Sequence, residues 1–167
     1  MKKIILTICV FLGSAQTFAA EGSRFTYDLG GSSGSYNGSS YTEVNLGLNW
    51  YLEDWLNWRN ALFSKFGSTI NTTYGLDSAV LFETDAYTEN RMFGIELFIG
   101  PGVRLANEKS NAVFGKAGLT FALAGMRIGG GIQQTHYIEG ARTDKNDQAL
   151  PQDETQYFIT LSGGGVL

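Results

Sequence analysis

Residues Thr42 to Leu52 read T-E-V-N-L-G-L-N-W-Y-L, and the strict alternation of that run leaves few folds open. Thr42, Val44, Leu46, Leu48, Trp50 and Leu52 share one face, while Glu43, Asn45, Gly47, Asn49 and Tyr51 share the other. Successive side chains leave a strand on opposite sides, so a period of two marks a strand. Ordinary strands run about 5–6 residues. A tilted strand that crosses a bilayer needs about 9–11. The run fits the second length, with its apolar face toward lipid and its polar face toward a barrel interior.

The N-terminus points to the same compartment. Met1-Lys2-Lys3 is basic, Ile4–Gly13 is apolar, and Thr17 and Ala19 are small residues ahead of a cut after Ala19. That is the layout of a secretory signal peptide. Residues 1–19 are therefore expected to be removed and residues 20–167 to form one domain. A cut after Ala20 is the near alternative, and a retained helix or a buried first strand are the structural ones. Cys9 lies inside this leader and is the only cysteine, so the remaining chain has no disulfide and no thiol chemistry.

Without Lys2 and Lys3 the chain keeps ten basic residues against sixteen acidic ones, a net charge of −6. An acidic surface is poorly suited to neutralising phosphates, so no nucleic-acid partner is expected. No later stretch reaches the 18 or so consecutive apolar residues of a helical span. No repeat of fixed period is visible either, which disfavours solenoids and propellers.

Beyond the leader, eight stretches read as strands: Arg24–Gly30, Tyr41–Leu52, Asn57–Phe66, Thr73–Thr84, Arg91–Arg104, Ala112–Ala124, Met126–Glu139 and Gln156–Val166. The expected fold is all-β, an eight-stranded antiparallel up-and-down transmembrane β-barrel. Gly31–Ser40 and Gly140–Glu154 are the longest connections and are expected outside. Glu53–Leu56, Asp85–Asn90 and the region of Gly125 are expected as short periplasmic turns. The Gly129-Gly130-Gly131 run makes the seventh strand the least regular, because glycine weakens strands and marks bends.

Carrying the alternation through all eight segments separates the charges from the apolar residues. Arg24, Asp28, Glu43, Arg59, Lys65, Asp77, Glu83, Glu96, Arg104, Lys116 and Arg127 fall on the face opposite the apolar one. An eight-stranded barrel is just wide enough for side chains to fill. Buried charges must be paired, so these residues are expected to form a structural ion-pair network; a proton or ion path is the functional alternative. Phe63, Leu81, Phe98 and Phe114 also take the inward parity, and Asn60, Ser64 and Ser78 the outward one. Trp50, Trp55 and Trp58 bracket the first tight turn. Tryptophan concentrates at membrane interfaces, so these three are expected as an aromatic girdle at the periplasmic rim.

A signal peptide, amphipathic strands, short inner turns and long outer loops together resemble the small outer-membrane β-barrels of Gram-negative bacteria, of the OmpX and OmpA-transmembrane-domain kind. The resemblance covers the chain beyond the leader and is one of layout. Such proteins end in an aromatic residue read by assembly machinery. Here Tyr157, Ile159 and Leu161 keep the alternation, whereas Gly163, Gly165 and Leu167 depart from it. The resemblance implies an outer-membrane location. It also implies contact with outer-membrane lipid and lipopolysaccharide, insertion by the barrel-assembly machinery, and a monomer.

Some barrels of this size modify lipid A, which makes His136, the only histidine, a candidate. The lipid A deacylases resemble this layout and place a serine two residues after their histidine; here that position is Ile138. His136 with Glu139 is the remaining acid–base candidate, and no second histidine exists to activate a nucleophile. One histidine without cysteine makes no zinc set. Asp144, Asp147, Asp153 and Glu154 lack the order of a calcium loop. No metal or other cofactor is expected. The leading reading is a non-enzymatic barrel with a structural, surface-interaction or envelope-stress role. A lipid A-modifying enzyme and a soluble periplasmic lipocalin-like binder of an apolar ligand are the alternatives.

Overall fold

The computed structural model describes residues 24–36, 39–89, 93–123 and 126–166, with the side chains of residues 24 and 164–166 outside that description. The leader expected at residues 1–19 lies outside it too, as do Arg91, Ala124, Gly125 and Leu167. Eight strands appear: β1 (Arg24–Tyr36), β2 (Ser39–Glu53), β3 (Leu56–Gly67), β4 (Thr73–Tyr87), β5 (Phe93–Ala106), β6 (Ala112–Leu123), β7 (Met126–Tyr137) and β8 (Asp153–Val166). They form a closed antiparallel barrel in chain order. Closure comes from β8 pairing with β1, from Arg24↔Val166 to Ser33↔Tyr157. The fold is thus the all-β, eight-stranded, up-and-down barrel.

The alternation explains the wall. In β2, Tyr41, Glu43, Asn45, Gly47 and Asn49 are buried, while Thr42, Val44, Leu46 and Leu48 are exposed. The same parity runs round the barrel, so Leu29, Leu62, Ile99, Ile128 and Ile159 stand on the outer surface. Ile159 is 71% exposed and Glu43 only 3%. Closure also removes the open sheet edges that would otherwise invite aggregation.

One end of the barrel carries the ends of β1 and β8 and the β2–β3 turn; it is called the terminus end below. The opposite end carries the connections 68–72, 107–111 and 138–152 and is called the loop end.

Several elements run longer than sequence reading expects. Gly31–Ser40 is expected as a loop, yet β1 continues to Tyr36 and pairs with β2 as far as Tyr36↔Ser39. Backbone pairing does not need bulky side chains, and Gly34 leaves room for an aromatic neighbour. A Cβ at Gly34 would lie 2.0 Å from the Tyr41 hydroxyl oxygen. Likewise β4 runs on to Tyr87, into the expected Asp85–Asn90 turn, and β8 begins at Asp153 rather than Gln156.

The β7–β8 connection folds back over the loop end. It closes an isolated bridge, Thr143↔Ala149. The Lys145 backbone N–H donates to the Thr69 carbonyl at 2.8 Å. Leu150 packs against a buried cluster of Tyr36, Tyr41 and Ile70.

The β4–β5 ladder steps from Ala79↔Gly102 to Phe82↔Ile99. Pro101 lies in this gap and has no N–H to give a neighbour. Backbones run close here: a Cβ at Gly100 would stand 1.9 Å from the Val80 carbonyl oxygen, while one at Gly115 would meet nothing within 4 Å. Gly100→Ala is therefore expected to destabilise the barrel by about 1–3 kcal/mol through overpacking, and Gly115→Ala to be close to neutral. Thermal unfolding midpoints of the two variants check this; equal midpoints would contradict it.

Candidate functional site

The lumen is the chemically dense part of the molecule, because the inward parity collects charges contributed by seven strands, β2 to β8, and by β1 through Asp28. Three buried clusters follow one another along it.

The first is centred on Arg104 of β5, which is 1% exposed. Its Nε and Nη2 donate to the two carboxylate oxygens of Asp77 at 2.7 Å each. Its Nη1 and Nη2 reach Glu43 at 2.9 and 3.0 Å. One guanidinium therefore holds two carboxylates, and its plane lies 3.9 Å from the Phe63 ring centroid. The Gln156 amide adds a bond to Glu43 at 3.2 Å. Arginine suits this place because its planar fork matches carboxylates in bidentate fashion.

The second cluster lies toward the loop end. Lys65 donates to Glu154 at 2.5 and 2.7 Å, and the Tyr137 hydroxyl donates to the same carboxylate at 2.6 Å. The Lys65 ammonium sits 3.9 Å from the Tyr41 ring centroid. Above it, Arg142 from the β7–β8 connection lies 3.2 Å from the Tyr137 ring and donates to the Pro151 carbonyl at 2.7 Å. Burial pulls the Arg142 guanidinium below its ordinary pKa, and Tyr137 and Tyr36 act against that shift. Side chains and loop together fill this end.

The third cluster lies toward the terminus end. Arg59 grips Asp28 through Nε at 2.9 Å and Nη2 at 2.6 Å, and Asn49 donates to Asp28 at 2.9 Å. Arg59 also reaches the Asn45 side-chain oxygen at 2.8 Å. Nearer the mouth, Arg127 pairs with Glu96 at 3.1 Å, and the Tyr87 hydroxyl donates to Glu96. Glu83 accepts from Asn57 at 2.7 Å. Lys116 is buried and makes no ion pair among the described residues; its ammonium rests 4.2 Å from the Phe158 ring centroid. The Arg24 side chain lies outside the described residues.

Members of these clusters outside the expected ion-pair network include Glu154, Gln156, Tyr137 and Arg142, of which sequence analysis weighs only Glu154, and that as part of an acidic loop. Glu154 and Gln156 share one parity with Phe158, so extending the eighth segment upstream finds both. Tyr137 shares the parity of Arg127 in β7. Arg142 carries no such signal, because it comes from a loop.

The tryptophans lie outside, near the terminus end. Trp50 faces Trp58 across β2 and β3, and Trp50 approaches Phe25 at 6.2 Å. Trp55 stacks on Phe82 at 6.0 Å, and the Trp58 indole N–H donates to Ser78 at 3.0 Å.

His136 and Glu139 are not brought together. His136 Nδ1 lies 2.8 Å from Asp153 on the outer wall, and Glu139 accepts from Asn111 at 2.7 Å. The outward neighbours of His136 across the sheet are Val113 and Asp153, neither of which carries a hydroxyl or thiol for a histidine to activate. Among the described residues no group of three or more His, Cys, Asp or Glu is placed to hold a metal ion. In comparison with known proteins, no family model matches the chain, and no curated protein matches it at a significant level.

Proposed function

We propose that this protein is an outer-membrane barrel whose outer wall faces lipid and whose lumen is braced by ion pairs. Its role would be structural or one of surface interaction or envelope stress, without catalysis. The observation that carries this reading is the sorting of side chains: apolar residues on the outer wall, ion pairs inside. Exposed Leu29, Leu46, Ile99, Ile128, Ile159 and their neighbours encircle the barrel. A contiguous apolar surface of that extent is rare on a soluble monomer. Strands of 12 to 15 residues are long enough to cross a bilayer at a tilt. Tryptophans near one rim fit an interfacial girdle, and the leader expected at residues 1–19 fits export.

The lipocalin-like alternative needs an apolar lumen to hold an apolar ligand. Here the lumen carries Arg104, Glu43, Asp77 and Lys65 instead, which favours the membrane reading. Fractionation and gel mobility test it. The protein is expected in the outer-membrane fraction, and the unboiled form is expected to migrate apart from the boiled one on a denaturing gel. A soluble protein with a single mobility would overturn the proposal.

His136, the only histidine, is the best candidate residue for a lipid A-modifying activity. His136→Ala is expected to leave the lipid A mass spectrum of the producing cells unchanged. A lost or shifted species would move the protein to the enzymatic alternative.

A further inference from the structure

The terminus half of the lumen is not completely filled. A cavity of about 50 Å³ lies against Asp28, Asn57, Lys116 and Thr120, and a second of about 180 Å³ lies at the mouth. The two share Tyr51, Glu83, Glu96 and Arg127 in their linings, so they adjoin.

Two buried polar groups of opposite character line the inner cavity, one without an ion-pair partner and one without a donor among the described residues. Lys116 is 5% exposed and has no ion-pair partner among the described residues; its ammonium rests on the Phe158 ring. Asn57 is 2% exposed, and its Oδ1 has no donor among the described residues. Buried polar groups without partners are uncommon, and each calls for a water, an ion or a ligand group. Two hydroxyls join the lining. Thr120 Oγ1 and Thr160 Oγ1 lie 2.7 and 2.8 Å from where a Cβ of Gly129 would stand, so they converge on a space that only glycine leaves free. The acidic side is reinforced by Glu83, bonded to Asn57, and by Glu96.

The lining therefore carries an ammonium without an ion-pair partner, an orphan carbonyl oxygen on the residue that bonds Glu83, and two hydroxyls, with Thr120 facing Glu96 across β5 and β6. A simple anion would leave the orphan acceptor unserved and would have to pass an acidic mouth. A simple cation would leave Lys116 unpaired. We infer that this blind vestibule binds a small zwitterion of amino-acid size, with its carboxylate on Lys116 and its ammonium toward Asn57 Oδ1 and Glu83. Ligand access is from the terminus end, where the second cavity opens, because the Arg104 and Lys65 clusters occupy the lumen beyond. The inference concerns the lumen alone and does not depend on what bathes the outer wall.

Glycine is the probe. Titrated into the intact folded barrel, it is expected to shift the amide resonances of Thr120, Gly129 and Thr160 and to saturate in the millimolar range. Acetate alone and methylammonium alone are expected to bind at least about tenfold more weakly, since each satisfies only one of the two orphans. Lys116→Met removes the ammonium without stranding a charge and is expected to weaken glycine by at least about tenfold. Thr160→Val, which keeps the lysine, is expected to weaken it less and serves if the first variant does not fold. No shift with glycine would mean a vestibule that holds water only. Equal shifts with glycine and acetate would mean an anion site. Either result overturns the inference.

Discussion

Arg104→Leu is expected to destabilise the barrel by about 3–5 kcal/mol, the cost of stranding buried charge. Arg104 is the only base bonded to either Glu43 or Asp77 among the described residues, and all three side chains are nearly inaccessible to solvent. Removing it leaves two carboxylates facing each other with only the Gln156 amide as an additional donor. Lysine at the same place keeps the charge but cannot make paired bonds to both acids, so Arg104→Lys is expected to recover part of the loss. Replacing all three residues by apolar ones of similar volume is expected to recover most of it, because a well-packed apolar cluster often matches a buried ion pair. Urea unfolding of the detergent-solubilised barrel, followed by fluorescence, gives the midpoints. A single Arg104→Leu variant as stable as the parent would show that these carboxylates are not the buried anions their geometry describes.

Leu46→Arg carries the second large effect, and its size depends on what lies outside the wall. Leu46 is the central residue of β2 and is 58% exposed. In a bilayer, a charged side chain at mid-wall costs about 2–4 kcal/mol, falling to about 0–1 near the interfaces. Leu52→Arg, near the terminus rim, is the matched control. In water, both substitutions should lie within about 0.5 kcal/mol of neutral, as surface changes generally do. The prediction is a large loss for Leu46→Arg and a small one for Leu52→Arg in lipid vesicles, measured by the same unfolding assay. Two small, equal effects would count against a lipid-facing wall.

The features readable from the chain are those that repeat every two residues. Alternation in Thr42–Leu52 is enough to orient β2, and the same parity orients Asp28, Arg59, Asp77 and Lys116. What parity cannot supply is partner choice. Arg104 meets Asp77 across β4 and β5 but meets Glu43 from β2, and the second contact depends on how the closed barrel folds its wall back on itself. Lys65 of β3 reaches Glu154 of β8 in the same way. The Gly31–Ser40 segment misleads because glycine and serine signal loops locally, whereas the extended β1–β2 pairing is fixed by the neighbouring strand and by the room Gly34 leaves for Tyr41. The loop-end cap is illegible for a different reason: Arg142, Leu150 and Ile70 belong to connections without periodicity, and only tertiary contact brings them together. His136 and Asp153 are far apart in sequence and meet only as facing residues of β7 and β8.

The central claim is that the outer wall faces hydrocarbon. A nitroxide at position 46, introduced as Leu46→Cys in a Cys9→Ser background and reconstituted in lipid vesicles, tests it directly. The account predicts a label that collides freely with dissolved oxygen and is shielded from a water-soluble nickel complex. A label shielded from oxygen and open to the nickel complex would contradict it.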